Sequence, residues 1–250
     1  MATTMAEAKA IAELNREWFD SLAGSLYKLD WVRDLVQQIS IFLRENVEWI
    51  GQPTGSGLRV LDYACGAGIV SMALAPFASV LRGIDVSDGM VEQYNATARH
   101  LGLSPEQMRG IRGSLLEEGD VAADDPEFTG FHIAVTSMAL HHIADPATMI
   151  KKLAERLAPG GSLVIVDFVT PESPPPDQPH HHHHHHPAAH TITRHGFSEK
   201  EMSDMFADAG LSDFSFRLHP ETSKVPWGET WVTQRVFFAR GKAHHDNHEL

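Results

Sequence analysis

The stretch from Leu58 to Gly68, L-R-V-L-D-Y-A-C-G-A-G, constrains this chain more than any other. Leu58 to Tyr63 is a short apolar run centred on Val60 and Leu61, with Gly55-Ser56-Gly57 ahead of it. That is the pattern of a strand buried in a parallel sheet. Ala64, Gly66, Ala67 and Gly68 then lead into Ile69-Val70-Ser71-Met72-Ala73-Leu74-Ala75, a helix that Pro76 stops. A strand entering a helix through residues with almost no side chain lets a ligand reach the backbone, where the first N–H groups of the helix are free. The chain folds around a ligand-binding βα turn.

Two ligand classes suit such a turn. A dinucleotide fingerprint needs G-x-G-x-x-G, and Gly66-x-Gly68-x-x-Ser71 lacks the third glycine. The other reading rests on the acid ahead of the glycines, Asp62-x-x-x-Gly66-x-Gly68. This segment resembles motif I of the class I S-adenosylmethionine-dependent methyltransferases, with Ala64 standing where that family often has its first glycine. The resemblance implies S-adenosylmethionine as cofactor and S-adenosylhomocysteine as product. A carboxylate at Asp62 suits a ligand that has a cationic amino-acid end and no phosphates.

At 250 residues and 42% apolar content, the chain suits one globular domain, with or without a small cap. A formal net charge of −13, with scattered basic residues, argues against nucleic acid or an anionic membrane as partner. Cys65 is the single cysteine, so an internal disulfide or a Cys-based zinc site is excluded. With no activating partner nearby in sequence, Cys65 reads as a small residue packed in the turn rather than a nucleophile. No apolar run approaches the ~18 residues of a membrane span and no leader is evident, so the expected compartment is cytoplasmic.

Residues 5–23 and 29–50 predict two helices, forming an N-terminal cap over residues 1–50. Ala10, Ile11, Leu14, Trp18 and Leu22 recur at helical spacing, as do Val32, Leu35, Val36, Ile39, Phe42 and Leu43. The link from Phe19 to Asp30 resembles the F-D-x-x-A-x-x-Y-D segment of ubiquinone-biosynthesis-type methyltransferases. There the tyrosine closes over the methionine end of the cofactor. Tyr27 takes that place here, and the acid that follows is displaced to Asp30.

Ser79 to Ser87 predicts a second strand, followed by a helix from Asp88 to about His100 capped by Ser87 or Asp88. Asp85, at the strand's end, lies where a carboxylate accepts both hydroxyls of a ribose. That geometry serves nicotinamide and adenosyl cofactors alike. The resemblance implies that Val86 and Met90 flank the adenine, while core packing accounts for Met90 equally well. Met108 to Leu116 predicts a third strand. Ser114 stands where the family usually has an Asp for the adenine amino group, which leaves the backbone of Leu115 as a contact. Glu117 to Glu127 reads as a solvated acidic loop.

Phe131 to Ser137 predicts the fourth strand, and Met138-Ala139-Leu140-His141-His142-Ile143 follows it. By resemblance, the loop at Ser137 and Met138 contacts the sulfonium end and the methyl acceptor. His141 and His142 have two readings, as helix-start residues satisfying backbone carbonyls or as a base for the acceptor. Asp145 caps a helix that runs to Leu157, Leu157-x-Pro159-Gly160-Gly161 stops it, and Ser162 to Phe168 predicts a fifth strand.

Residues 170–195 predict a Pro/His-rich loop containing seven consecutive histidines, His180 to His186, without the fixed spacing of a dedicated metal site. Ser198 opens a helix with a capping box to Glu201, ending at Gly210. Asp213 to Leu218 and Trp231 to Ala239 predict a closing antiparallel pair, joined by a long link carrying Pro220, Pro226 and Trp227. Residues 243–250 read as a tail.

The fold expected is α/β: a Rossmann-like, seven-stranded, mostly parallel sheet with an antiparallel last strand, helices on both faces and the N-terminal cap. Residues 51–242 form the cofactor-binding domain. The function expected is methyl transfer to a small-molecule acceptor by SN2 displacement, which is governed mainly by alignment in a dry pocket. A non-catalytic cofactor-binding protein, a nicotinamide oxidoreductase and a macromolecule methyltransferase are the alternatives.

Overall fold

A computed structural model describes residues 5–51, 57–117, 120, 125–171, 191–227 and 230–244 of the chain. Most of the Pro/His-rich stretch, His180 to His186 included, lies outside the described residues. The strands are β1 (Leu58–Tyr63), β2 (Ala78–Asp85), β3 (Met108–Arg112), β4 (Phe131–Ser137), β5 (Leu157–Phe168), β6 (Ser212–Trp227) and β7 (Thr230–Lys242). They form one sheet of order β3-β2-β1-β4-β5-β7-β6. β1 to β5 pair in parallel, and β7 runs antiparallel to both β5 and β6.

Alternating apolar residues let the sheet bury both faces. Leu58, Val60, Val135 and Val164 point into one core beneath α2 (Asp30–Glu45), α3 (Val47–Ile50), α4 (Ile69–Leu74) and α5 (Asp88–His100). Leu61, Ala134, Leu163 and Ile165 point into the other, beneath α6 (Pro146–Ala154) and α7 (Glu199–Asp208). Each fully buried Leu or Ile contributes about 1.5–3 kcal/mol, so register is fixed from both sides. Tyr94 of α5 lies so close to Gly83 and Gly110 that a β-carbon at either would come within 2.8 Å of its ring. The helix thereby sits flush on β2 and β3.

Several predicted boundaries shift, each for a physical reason. The second N-terminal helix divides at Asn46, whose amide turns back to the carbonyl of Phe42. The third strand stops at Arg112, where pairing with β2 ends at Asp85. The helix capped by Asp145 ends at Ala154. Leu157-x-Pro159-Gly160-Gly161 is not a stop between elements but the start of β5. Leu157 pairs with Phe131 and Ser162 with Ile133, so residues 158–161 bulge out of the ladder, with Gly160 at φ 75°. The predicted link through Pro220 and Pro226 is strand, because β6 is the sheet edge and an edge strand tolerates residues without an N–H. The last strand likewise runs past the predicted Ala239, to Lys242. Ser87, Asp145 and Ser198 cap α5, α6 and α7, the last with a reciprocal capping box.

Strand order reverses between β1 and β4, so the turns leaving their carboxyl ends splay apart. In an open α/β sheet that is where a ligand crevice forms. α1 (Met5–Leu22) and the short helical turn Leu26–Lys28 pack across these ends. Among the described residues, no helix is long and apolar enough to cross a membrane.

Candidate active site

The turn after β1 is built on unusual backbone. Ala64 (φ 54°), Gly66 (φ 50°) and Gly68 (φ 84°) all lie in the left-handed region. Two glycines are there because L side chains resist that conformation by about 1–2 kcal/mol, a cost Ala64 bears. Asp62 is buried beneath the turn, and its carboxylate accepts from the Ser71 N–H (3.1 Å) and hydroxyl (2.8 Å). The Ser71 hydroxyl also meets that of Tyr94 at 2.7 Å. The place of a third dinucleotide glycine thus holds a side chain that ties α4 to β1. Burial raises the Asp62 carboxyl to about 7, against the lowering effect of Ser71.

Asp85, at the end of β2, accepts from the N–H of Gly66 (2.9 Å) with one oxygen and from that of Ser87 (3.0 Å) with the other. Burial pushes it up to about 6 despite these bonds. The backbone of Val86 acts on it as well, and a carboxylate with about four acceptor positions keeps capacity for a ligand hydroxyl. Val86 is half-buried beside it, and Met90 is buried one turn into α5.

Ser114 and Leu115 are buried and already engaged. The Ser114 oxygen accepts from Leu116, its N–H donates to Asp120, and both residues bond the Tyr63 hydroxyl, which burial raises to about 12. Cys65 is buried in the turn, and burial pushes its thiol well up, which leaves it packed and un-ionised.

The N-terminal segment closes this side. The Tyr27 hydroxyl accepts from the N–H of Ala67 (3.3 Å) and fills the space a β-carbon on Gly66 would need. Its burial raises the phenol above the ordinary range, so it stays neutral. Asp20, at the end of α1, accepts from the Ser87 hydroxyl (2.6 Å) and the Gly89 N–H (2.9 Å). Burial opposes its ionisation, but these two donors outweigh it and hold the carboxyl below its usual range. Asp20 therefore latches α1 onto the N-terminus of α5.

The turn after β4 lies on the other side of the crevice. Ser137 and Met138 are half-buried at its start, with Met138 at φ 55° and bonded to the Val166 carbonyl. His141 and His142 follow in a short helical turn, their rings 4.2 Å apart. His141 Nδ1 faces Asp167 at 2.8 Å, and the same carboxylate accepts from the His141 backbone at 3.1 Å. His142 Nδ1 faces the Thr191 carbonyl at 3.0 Å. Its own carbonyl accepts from the Asn15 amide at 3.0 Å, and Phe19 meets its ring edge-on at 5.3 Å. Among the described residues, no cluster of three or more His, Cys, Asp or Glu could hold a metal ion.

Hydrogen bonds thus bring Tyr27, Gly66 and Asp85 together, with Ala64, Gly68 and Val86 in the same turns, while Ser137, Met138, His141 and His142 follow the carboxyl end of β4, the parallel neighbour of β1. Asp62, Met90, Ser114 and Leu115 are buried. Sequence reasoning missed Asp20, Asn15 and Asp167. Asp167 carries the signal that marked Asp85, an acid at the carboxyl end of an apolar strand.

Comparison with known proteins agrees with this architecture. A family model described as "Methyltransferase domain" matches residues 35–215. The chain is 32% identical over 216 residues to an uncharacterized methyltransferase of Schizosaccharomyces pombe, covering 84% of this chain and 73% of that one. It is 23% identical to a ubiquinone biosynthesis O-methyltransferase of Maricaulis maris, over 63% of this chain and only 59% of that relative's length. Magnesium protoporphyrin IX methyltransferase from Synechocystis, solved with bound S-adenosylmethionine, shares the fold at a TM-score of 0.60. It is 18% identical, with 92% of this chain and 96% of that one covered. The matched span exceeds half the chain, so this protein belongs to the methyltransferase domain family.

Proposed function

We propose that the protein transfers a methyl group from S-adenosylmethionine to an oxygen of a small-molecule acceptor. The observation that carries this reading is Asp85, buried at the end of β2 between the Gly66 and Ser87 N–H groups with acceptor capacity left for a ligand hydroxyl. The donor set fits the cofactor: a positive-φ turn whose glycines leave backbone open, with the buried carboxylates Asp62 and Asp85 beside it. S-adenosylmethionine supplies, when bound, an electrophilic methyl group on a sulfonium.

The chain's own residues do the rest. Asp85 holds the ribose hydroxyls, while Tyr27 and the turn Ala64–Gly68 enclose the amino-acid end. Val86 and Met90 border the adenine, with Ser114 and Leu115 behind it. Ser137 and Met138 border the reacting centre, and His141 and His142 face the acceptor. Residues 1–50 act as a lid that excludes water, which favours transfer by alignment within residues 51–242. The names of relatives such as the Maricaulis O-methyltransferase support oxygen as the acceptor atom.

Calorimetry with S-adenosylmethionine and with NADH tests the reading. Binding of the first alone, weakened at least tenfold in Asp85→Ala, is expected. Binding of NADH alone would replace it with an oxidoreductase. Tight S-adenosylmethionine binding without turnover across hydroxylated, aminated and thiol acceptors would replace it with a non-catalytic binding role.

A further inference from the structure

α1 and the link after it are tied to the turns of three adjacent strands. Asn15 donates from Nδ2 to the His142 carbonyl, in the turn after β4, at 3.0 Å. Asp20 accepts from the Ser87 hydroxyl (2.6 Å) and the Gly89 N–H (2.9 Å), beyond the end of β2. The Tyr27 hydroxyl accepts from the Ala67 N–H, in the turn after β1, at 3.3 Å. The strand order is β2-β1-β4, so β1 lies between the two anchors on α1. Five residues of helix rise about 7.5 Å and two strand spacings span about 9.6 Å, so the stretch from Asn15 to Asp20 bridges the carboxyl end of β1. Residues four apart share a helix face, and Phe19, four on from Asn15, meets the His142 ring edge-on at 5.3 Å. Ala23, just past the helix end, lies where a β-carbon on Gly89 would come within 2.9 Å of it. This face of α1 is turned toward the strand ends.

Asn15 is only 8% exposed, and its Oδ1 has no hydrogen-bond partner among the described residues. The orientation of the amide follows from chemistry: a carbonyl only accepts, so the nitrogen faces His142 and the oxygen is the end left over. That oxygen can accept and do nothing else. A buried acceptor without a donor is a costly arrangement, and natural chains keep few of them, functional sites being one place where they are kept. Position decides which ligand donates. Asp20 and Tyr27 lie on the side of β2 and β1, whose turns hold the ribose and the amino-acid end in the reading above. Asn15 lies on the side of β4, whose turn borders the acceptor.

We propose that Asn15 is a specificity-determining residue whose Oδ1 accepts a hydrogen bond from a second hydroxyl of the methyl acceptor, one that is not itself methylated. This rests on the methyl-transfer reading above. The contact selects acceptors with two hydroxyls over those with one. An ether oxygen cannot donate, so it also disfavours an acceptor already methylated at that second position.

Catechol and phenol differ by one hydroxyl and serve as probes, titrated by calorimetry into the full chain saturated with S-adenosylhomocysteine. The parent is expected to bind catechol at least fivefold more tightly than phenol, and Asn15→Leu to narrow that preference to within about twofold. 13C NMR of the parent reads the contact itself: the Asn15 side-chain carbonyl signal, assigned through its backbone, should move downfield with catechol and stay in place with phenol. This measurement holds even where Asn15→Leu fails to fold. Equal affinity for the two probes, no binding of either, or a carbonyl signal that catechol leaves in place would overturn the proposal. So would a catechol preference that survives in Asn15→Leu. A tenfold loss of S-adenosylhomocysteine affinity in that variant, with the catechol preference intact, would hand the oxygen to the cofactor instead. Absence of S-adenosylhomocysteine binding in the parent rejects the methyl-transfer reading itself, whereas binding without a catechol preference rejects the Asn15 role alone.

Discussion

Asp62 and Ser71 are bonded twice, through the serine's N–H at 3.1 Å and its hydroxyl at 2.8 Å, both to the same carboxylate oxygen. One oxygen therefore holds the first turn of α4 to the end of β1. Asn at position 62 can make both bonds with its carbonyl oxygen and carries no charge.

The effect of that substitution depends on pH. The Asp62 carboxyl is raised to about 7 from 3.8, chiefly by burial. The folded chain binds this proton more tightly than the unfolded chain, so the stabilisation is full below pH ~4 and is lost as pH rises to about 7. Asp62→Asn should match the parent near pH 4, gain over it progressively to pH 7 and hold a constant advantage above. Denaturant unfolding at pH 4.5, 6 and 8 measures this, and an advantage that shrinks with pH contradicts the assignment. Ser71→Ala, which leaves Tyr94 short of a partner, should cost about 1–3 kcal/mol at all three.

Tyr27 and Gly66 should couple. A methyl group on Gly66 would collide with the Tyr27 hydroxyl as well as strain a φ of 50°. Gly66→Ala alone should destabilise by both effects, whereas in a Tyr27→Ala background only the strain of about 1–2 kcal/mol remains. A double-mutant cycle on stability reads the difference, and strict additivity would mean that the ring is elsewhere in solution. For cofactor affinity, Tyr27→Phe separates the hydroxyl from the ring: loss in both Phe and Ala variants assigns the Ala67 contact a working role.

Cofactor affinity should weaken in acid. Asp85 must be ionised to accept ribose hydroxyls, and its carboxyl is raised to about 6 in the free chain. Protonation competes with binding below that pH, so Kd should rise toward tenfold per unit between pH 5.5 and 4.5 and be flat above 7. Asp85→Asn should bind more weakly at neutral pH and lose this part of the slope. Isothermal calorimetry across the range checks both, and an unchanged slope in the variant would move the titration to another group.

Asp20→Ala should release α1 without unfolding the sheet. It removes an acceptor of the Ser87 hydroxyl and the Gly89 N–H, leaving both with weaker partners. Undocking should become easier by about 1.5–3 kcal/mol, the usual worth of hydrogen bonds to a charged group. Hydrogen exchange in α1 should accelerate at least tenfold while the protection of β1 and β4 holds. Equal acceleration throughout would show that Asp20 supports the whole fold instead.

Much of the architecture is legible in the chain itself. β1, β4 and the ends of α5 follow from apolar runs, Ser87 and the glycines at 66 and 68, because these depend on neighbours a few residues away. β6 was obscured by Pro220 and Pro226, whose meaning depends on whether a strand lies inside the sheet or at its edge. The bulge at residues 158–161 was obscured because Pro159-Gly160-Gly161 also suits a turn, and only pairing with Phe131 and Ile133 decides between them.

The site divides along the same line. The ligand-binding turn and Asp85 could be read locally, since a backbone cradle needs glycine and a strand end needs only its own acid. The Asp20–Ser87 latch spans 67 positions, Asn15–His142 spans 127 and His141–Asp167 spans 26. No periodicity or spacing in the sequence links such pairs. Which histidine meets a carboxylate, and which acid caps a distant helix, is decided by the parallel register of β4 on β5 and by the docking of α1 across the strand ends. Those are consequences of burying two apolar faces at once, a property of the assembled sheet and of no single segment in it.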